Sequence, residues 1–339
     1  MLHSYSKLLL LIGAFFFQIQ GHAQLTIKSA LLDQNYKPAF TESYGKWGRW
    51  NVVKNTLGTI DNDAVEIIKR PYNNPKRDDN LARLAMLIAV DAQSTALFQQ
   101  YVEPMDVLIR PYVSFPSLYT QYPAINRWTG GVDGYAYTTI TGLYAAGLIT
   151  GNDRMQEAST LATKAIIESY VVSHLVLKTA FARHRPARPL GNQSETDRDS
   201  QYPFVHSPLD WFNFHRPFFH SDAYGTGFPS FHATMYFSIA STMSRVYGNR
   251  WLPYSLCVGA LLYDIRGHNH WVSELVMGAV IGEFIGKVVV DNYYEAKRKT
   301  LKKQQSDYAD APVERQKSRL IWGLGQTGGV YGPQLSLIF

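Results

Sequence analysis

The sequence predicts an all-α protein, a multi-helix bundle with a short strand-like tail at its C-terminus. Apolar residues recur at helical spacing from Leu81 onward, beginning with Leu81, Leu84, Ala85, Leu87 and Ile88. Proline and asparagine cluster between these runs, and strand-like alternation is nearly missing before residue 320. The composition is 46% hydrophobic and 14% aromatic with 18% charged residues over 339 positions, which fits a large buried core and excludes a disordered chain. Mean hydropathy of −0.18 is too polar for a chain made mostly of membrane spans.

Residues 1–23 read as an export signal. Lys7 precedes the apolar run Leu8–Phe17, interrupted by Gly13, and Gly21-His22-Ala23 offers a cleavage site before Gln24. Such a run is short for a bilayer-spanning anchor. The expected location is therefore the periplasm or cell envelope. Cys257 is the sole cysteine, so no internal disulfide is expected, and its apolar neighbours predict a buried small hydrophobe.

Residues 24–80 should hold irregular structure and short helices, one of them over Asp63–Lys69 and ending before Pro71. A helical domain follows over 81–296. Its further helices are predicted at Asp133–Thr150, Met155–Arg183, Ala233–Tyr247, Leu252–Ile265 and Ser273–Tyr294. Within the last, Gly278, Gly282 and Gly286 recur every fourth residue and would let another helix approach closely. Leu275–Val290 has the look of a membrane span, yet Glu283 and Lys287 interrupt it, which favours a soluble bundle. The loop Ala187–Phe228 carries many rings, among them Tyr202, Trp211, Phe212 and Phe218. It is either packed on the bundle surface or a lid over a pocket. Residues 297–339 form a basic linker and tail. Lys297–Lys303 suits a helix C-terminus, and Leu320–Phe339 predicts one or two strands. Gly323-Leu324-Gly325 lacks the strand–helix context of a nucleotide site. The net charge of +6, without a long basic arm, suits anionic substrates or a membrane surface rather than nucleic acid.

Three distant segments carry the chemistry. They are Lys178-Thr179-Ala180-Phe181-Ala182-Arg183-His184-Arg185-Pro186, then Pro229-Ser230-Phe231-His232, then Arg266-Gly267-His268-Asn269-His270-Trp271-Val272-Ser273-Glu274. Lys178 and Arg185 lie seven positions apart, two helical turns, so both should project from one helix face before Pro186 ends the helix. Arg185 could fork onto phosphate oxygens while Lys178 adds a point charge. Alone, such a pair is usually solvated surface. Ser230 is placed to cap a helix whose first N–H groups would face an anion, although a plain capping serine looks the same. His270 precedes Glu274 by four residues, with Ser273 as a candidate cap between them. A carboxylate on one ring nitrogen fixes the tautomer and leaves the other to attack phosphorus. His232 could protonate the departing alkoxide and later deprotonate water. A single histidine beside Trp271 would ordinarily be a satisfied core residue. The conjunction of all three segments points instead to covalent phosphoryl transfer without a metal.

These segments resemble the type 2 phosphatidic acid phosphatase superfamily, which includes bacterial nonspecific acid phosphatases and vanadium haloperoxidases. Its signature runs K-x6-R-P, then P-S-G-H, then S-R-x5-H-x3-D. Lys178, Arg185 and Pro186 match the first part. Pro229, Ser230 and His232 match the second, with Phe231 in place of glycine. His270 and Glu274 match the last, with Glu for Asp. The resemblance implies a phosphorylated nucleophile at His270, an acid/base at His232, an orienting carboxylate at Glu274, and phosphate binding by Lys178, Arg185, Ser230 and the backbone N–H of Phe231. Asp264 stands where the third-motif arginine is expected. Arg266, four residues before His270, either reaches the same oxygens by a shorter loop or is an ordinary surface residue. The implied activity is a metal-independent phosphatase acting on a phosphomonoester or lipid (pyro)phosphate, without a cofactor. Alternatives are a vanadium-dependent haloperoxidase, with vanadate in the same pocket, and a catalytically impaired phosphate- or phospholipid-binding homologue. A metal hydrolase on His268, His270 and Glu274 ranks below these, since no further ligand cluster accompanies them.

Overall fold

The computed structural model describes residues 49–101, 131–187, 205–213, 227–264, 270–310, 319–327 and 330–338. The chain divides into a unit up to Lys297 and a second unit over Arg298–Phe339.

Among its described residues, the regular elements of the first unit are helices, as the periodicity predicts. Its helices are α1 (Arg49–Leu57), α2 (Ile60–Tyr72), α3 (Arg77–Ala89), α4 (Asp91–Tyr101), α5 (Gly131–Thr150) and α6 (Asp153–Ser169). A π-helical stretch, Tyr170–Leu177, joins α6 to the short α7 (Lys178–Phe181). Then come α8 (Phe231–Tyr247), α9 (Trp251–Asp264) and α10 (Val272–Asp310). Three expected boundaries are corrected. α2 runs through Pro71 instead of ending before it. A proline so near the helix end removes only one backbone bond, and Asn73 closes the turn by donating its N–H to the Lys69 carbonyl at 2.9 Å. α10 extends to Asp310, because neither glycine nor proline intervenes between Gly286 and Pro312. Lys297–Lys303 therefore lies inside a helix rather than at its C-terminus.

The third correction bears on the site. The helix predicted over Met155–Arg183 stops at Phe181, because Ala182 turns left-handed at φ 39° and donates its N–H to the Lys178 carbonyl at 2.9 Å. For a non-glycine residue that conformation costs about 1 kcal/mol. Arg185 therefore does not share a helix face with Lys178, and Pro186 is not the terminator. Arg185 lies in an extended segment paired with Val205, whose N–H donates to the Arg185 carbonyl at 2.9 Å.

Packing centres on α6, α8 and α10. Ala158, Leu161 and Ala165 meet Val246, Ile285, Val289 and Tyr293 in a fully enclosed cluster. Each buried Leu, Ile or Val contributes about 1.5–3 kcal/mol. A second cluster joins Met235, Tyr236 and Ala240 of α8 to Cys257 of α9, whose thiol burial pushes up to about 12. The glycine stripe packs as expected, against α8. A Cβ on Gly278 would meet the Ser230 carbonyl at 2.6 Å and Ala233 at 2.8 Å, and one on Gly286 would meet the Ser238 carbonyl at 2.6 Å. That close approach ties the start of α8 to the start of α10. By length and composition, Asp153–Phe181 is apolar enough to cross a membrane, and α3 with α4, bent by 59°, pass the same test together. Leu275–Val290 does not belong to that set.

The second unit holds the end of α10 and an antiparallel hairpin. β1 (Arg319–Thr327) pairs with β2 (Val330–Ile338) in the register Thr327↔Val330 to Arg319↔Ile338. The expected strand-like tail is present.

Candidate active site

Lys178 begins α7 and is buried, at 2% exposure. Beyond the left-handed turn at Ala182, Arg183 is fully enclosed. Its Nη2 donates to Asp91 Oδ2 at 2.8 Å and to the Pro208 carbonyl at 2.7 Å, Nε donates to that carbonyl at 3.1 Å, and Nη1 donates to Ser273 Oγ at 2.7 Å. Its guanidinium carbon lies 4.4 Å from the Trp211 ring centroid and 5.0 Å from that of Trp271. His184 is half-buried, with Nδ1 2.8 Å from Asp210 Oδ2. Burial alone would raise Asp210, but hydrogen bonds from Asn213 and His184 hold it below its ordinary value. Part of the aromatic loop, residues 205–213, thus packs directly on the first motif, with Phe181 edge-on to Trp211 and Phe228.

The second motif opens α8. Ser230 is its N-cap, accepting from Ala233 N–H at 3.4 Å through Oγ, as expected of a capping serine. Its own O–H is left as a donor. The N–H of Ser230 donates to the Glu274 carbonyl at 3.1 Å. Phe231 turns its ring edge-on to Tyr170 and His174, at 5.7 and 6.0 Å between centroids. The side chain that replaces glycine is thereby drawn towards the π-helical stretch just ahead of Lys178. His232 occupies the first turn of α8, beside Phe231 and Tyr236.

The third motif opens α10. His270 Nδ1 lies 2.7 Å from Glu274 Oε2, and both residues are buried, at 8% and 0% exposure. The same oxygen accepts the Trp271 N–H at 3.2 Å. With Nδ1–H donating to the carboxylate, the ring's lone pair lies on Nε2. Burial pushes the Glu274 carboxyl up to about 8. Arg183 pulls down, Asp91 pushes up, and Arg185 and the Trp271 N–H also pull down.

Backbone and side-chain hydrogen bonds tie the three motifs into one junction. Gly227 N–H donates to the Arg183 carbonyl at 2.8 Å, and Trp271 Nε1 donates to the His184 carbonyl at 2.9 Å. Gly227 lies flat on the Glu274 carboxyl group, so that a Cβ there would come within 2.6 Å of Cδ. Lys178, Arg185, Ser230, Phe231, His232, His270 and Glu274 all stand on segments that meet at this junction. Arg266 lies outside the described residues, as do His268, the export signal and the other quoted rings of the aromatic loop. Sequence reasoning missed Asp91, Arg183 and Gly227. Asp91 has no motif around it, and Gly227 was one glycine among many. Arg183 stood inside a quoted segment, flanked by other bases.

Residues 158–298 match the family model described as the PAP2 superfamily, which supports the likeness to the type 2 phosphatidic acid phosphatase superfamily. Members of that superfamily are generally phosphatases. No curated protein and no solved structure gives a match to the chain.

Proposed function

We propose that the chain is a metal-independent phosphatase of the cell envelope that works through a phosphohistidine on His270. One observation carries the reading: a buried imidazole held by Nδ1 on a buried carboxylate, 2.7 Å away, where three helix ends meet. His270 Nε2 attacks phosphorus, and the bond to the leaving oxygen breaks as His232 delivers a proton to it. Water, deprotonated by His232, then attacks the phosphohistidine, releasing inorganic phosphate and restoring both rings. Glu274 keeps the Nδ1–H tautomer and balances the charge that grows on the ring. Lys178, Arg185, the Ser230 hydroxyl and the Phe231 N–H at the start of α8 are the donors for the equatorial oxygens.

The substrate is a phosphomonoester or lipid (pyro)phosphate. The mutually packed rings of Phe181, Trp211 and Phe228, next to the first and second motifs in the chain, support an apolar leaving group. The test is release of inorganic phosphate from an aryl phosphate by the full chain. His270→Ala should abolish it, with a loss of at least about a thousandfold, while leaving the helical signal intact. A folded protein inert towards a broad panel of phosphoesters contradicts the reading.

A further inference from the structure

Arg183 donates four hydrogen bonds, and the steps above do not use it. Its guanidinium is wholly enclosed and held between two indole rings, and its donors go to Asp91, Ser273 and the Pro208 carbonyl. It cannot serve as the phosphate-binding arginine missing from position 264. Nη1 instead points along Ser273 towards the catalytic carboxylate, standing 3.7 Å from Glu274 Oε1. That separation is an ion pair but too long for a hydrogen bond. Oε1 accepts no hydrogen bond among the described residues, while Oε2 takes both His270 and Trp271.

Asp91 accounts for the gap. Its Oδ1 accepts the Ser273 N–H at 2.9 Å, and its Oδ2 takes both the Ser273 hydroxyl and Arg183 Nη2. Asp91 therefore holds Ser273 and Arg183 together and stops Arg183 from closing on Glu274 as a two-pronged fork. A carboxylate gripped by such a fork is a poor base. One left half-satisfied remains a strong acceptor for the imidazole proton. Among the described residues, the titratable and charged groups that face Glu274 are His270, Arg183, Asp91 and Arg185.

We propose that Asp91, Ser273 and Arg183 form a positioning triad that withholds a full ion pair from Glu274, keeping it basic enough to hold His270 in its attacking tautomer. None of the three touches the substrate. The inference rests on the reading of His270 as nucleophile. It fits the direction of the neighbours' effects, since Asp91 opposes ionisation of Glu274 and Arg183 favours it.

The test follows two readouts in the full-length protein. One is the pH profile of kcat/KM towards an aryl phosphate. The other is 15N NMR titration of the His270 ring, which needs no turnover. Asp91→Asn and Ser273→Ala should each let Arg183 close on Glu274, and Arg183→Gln removes the pull. The acid limb and the ring titration should move down by roughly half a pH unit or more in the first two variants, and up by as much in the third. A triad that only staples residues 205–213 to the bundle would lower thermal stability and leave both readouts where they were. That result overturns the proposal, and so does movement of all three variants in one direction. If Arg183→Gln does not fold, Ser273→Ala still decides, because it removes one buried hydroxyl and no charge; an unshifted or raised ring titration in it contradicts the triad. If the wild type releases no phosphate, the phosphatase reading fails while the ring titrations still judge the triad.

Discussion

Glu157 and Glu274 are both completely enclosed glutamates within the same unit, yet their surroundings differ in kind. Glu157 in α6 is saturated. Its Oε1 accepts from Lys297 Nζ at 2.6 Å and Tyr293 at 3.0 Å, and its Oε2 accepts from Tyr294 at 3.0 Å. Every partner stands on α10, so the cluster braces one helix against another. Glu274 accepts hydrogen bonds through Oε2 but not Oε1 among the described residues, and sits where loops and helix starts converge. Burial leaves its carboxyl up at about 8 even with Arg183 beside it. A saturated buried charge fixes geometry, whereas a half-satisfied one retains basicity for chemistry.

Exchanging each for glutamine should separate the two roles. Glu274→Gln should cut kcat by about a hundredfold or more, with the thermal midpoint at pH 7 moving by no more than about 2 °C. Glu157→Gln should do the reverse. It removes the Glu157 charge from beside buried Lys297, which costs about 3–5 kcal/mol and lowers Tm by roughly 5–15 °C, with kcat per folded molecule unchanged at low temperature. Loss of activity in folded Glu157→Gln would erase the distinction.

Between these effects lies the contact of α8 with α10. Gly282→Ala places a methyl group against Ser238 N at 2.9 Å and the Thr234 backbone. Overpacking of this kind should cost about 1–3 kcal/mol in denaturant unfolding. It should also lower activity, because α8 carries His232 on its first turn.

The smallest effect is expected in a third carboxyl cluster, where Glu168 lies beside Asp63 and Lys164. Burial raises Glu168 to about 8 from an ordinary 4.5, with the Asp63 charge adding to it and Lys164 opposing. A carboxyl raised in the folded state is neutral in both states below about pH 4.5, then costs stability progressively as pH climbs to about 8. Glu168→Gln should therefore leave stability unchanged near pH 4.5 and raise it by roughly 1–2 kcal/mol at pH 8. A gain of the same size at both pH values would contradict this account of the cluster.

The helices were legible wherever apolar residues repeat over several turns, as in Phe231–Tyr247 and Trp251–Asp264. The close contact was legible too, because Gly278, Gly282 and Gly286 fall on one stripe and α8 offers small residues at Ala233, Ser238 and Ser241. The end of the first-motif helix was not. Proline is the obvious terminator, but the break comes from an alanine in a left-handed conformation that local sequence does not favour. His270 with Glu274 could be paired from their spacing alone. Asp91 could not, since it reaches Ser273 across 182 positions of chain and only the packed fold brings them together. Arg183 looked like one more base in a basic segment until Trp211 and Trp271 were seen to enclose it.

Covalent capture of the reaction tests the central claim most directly. The full chain, mixed with a 32P-labelled aryl phosphate and quenched in alkali, should carry label that survives base and is lost in mild acid. The label should map to His270 and be absent from His270→Ala. Steady phosphate release with no label on His270, in a quench fast enough to sample the first turnover, would contradict the account.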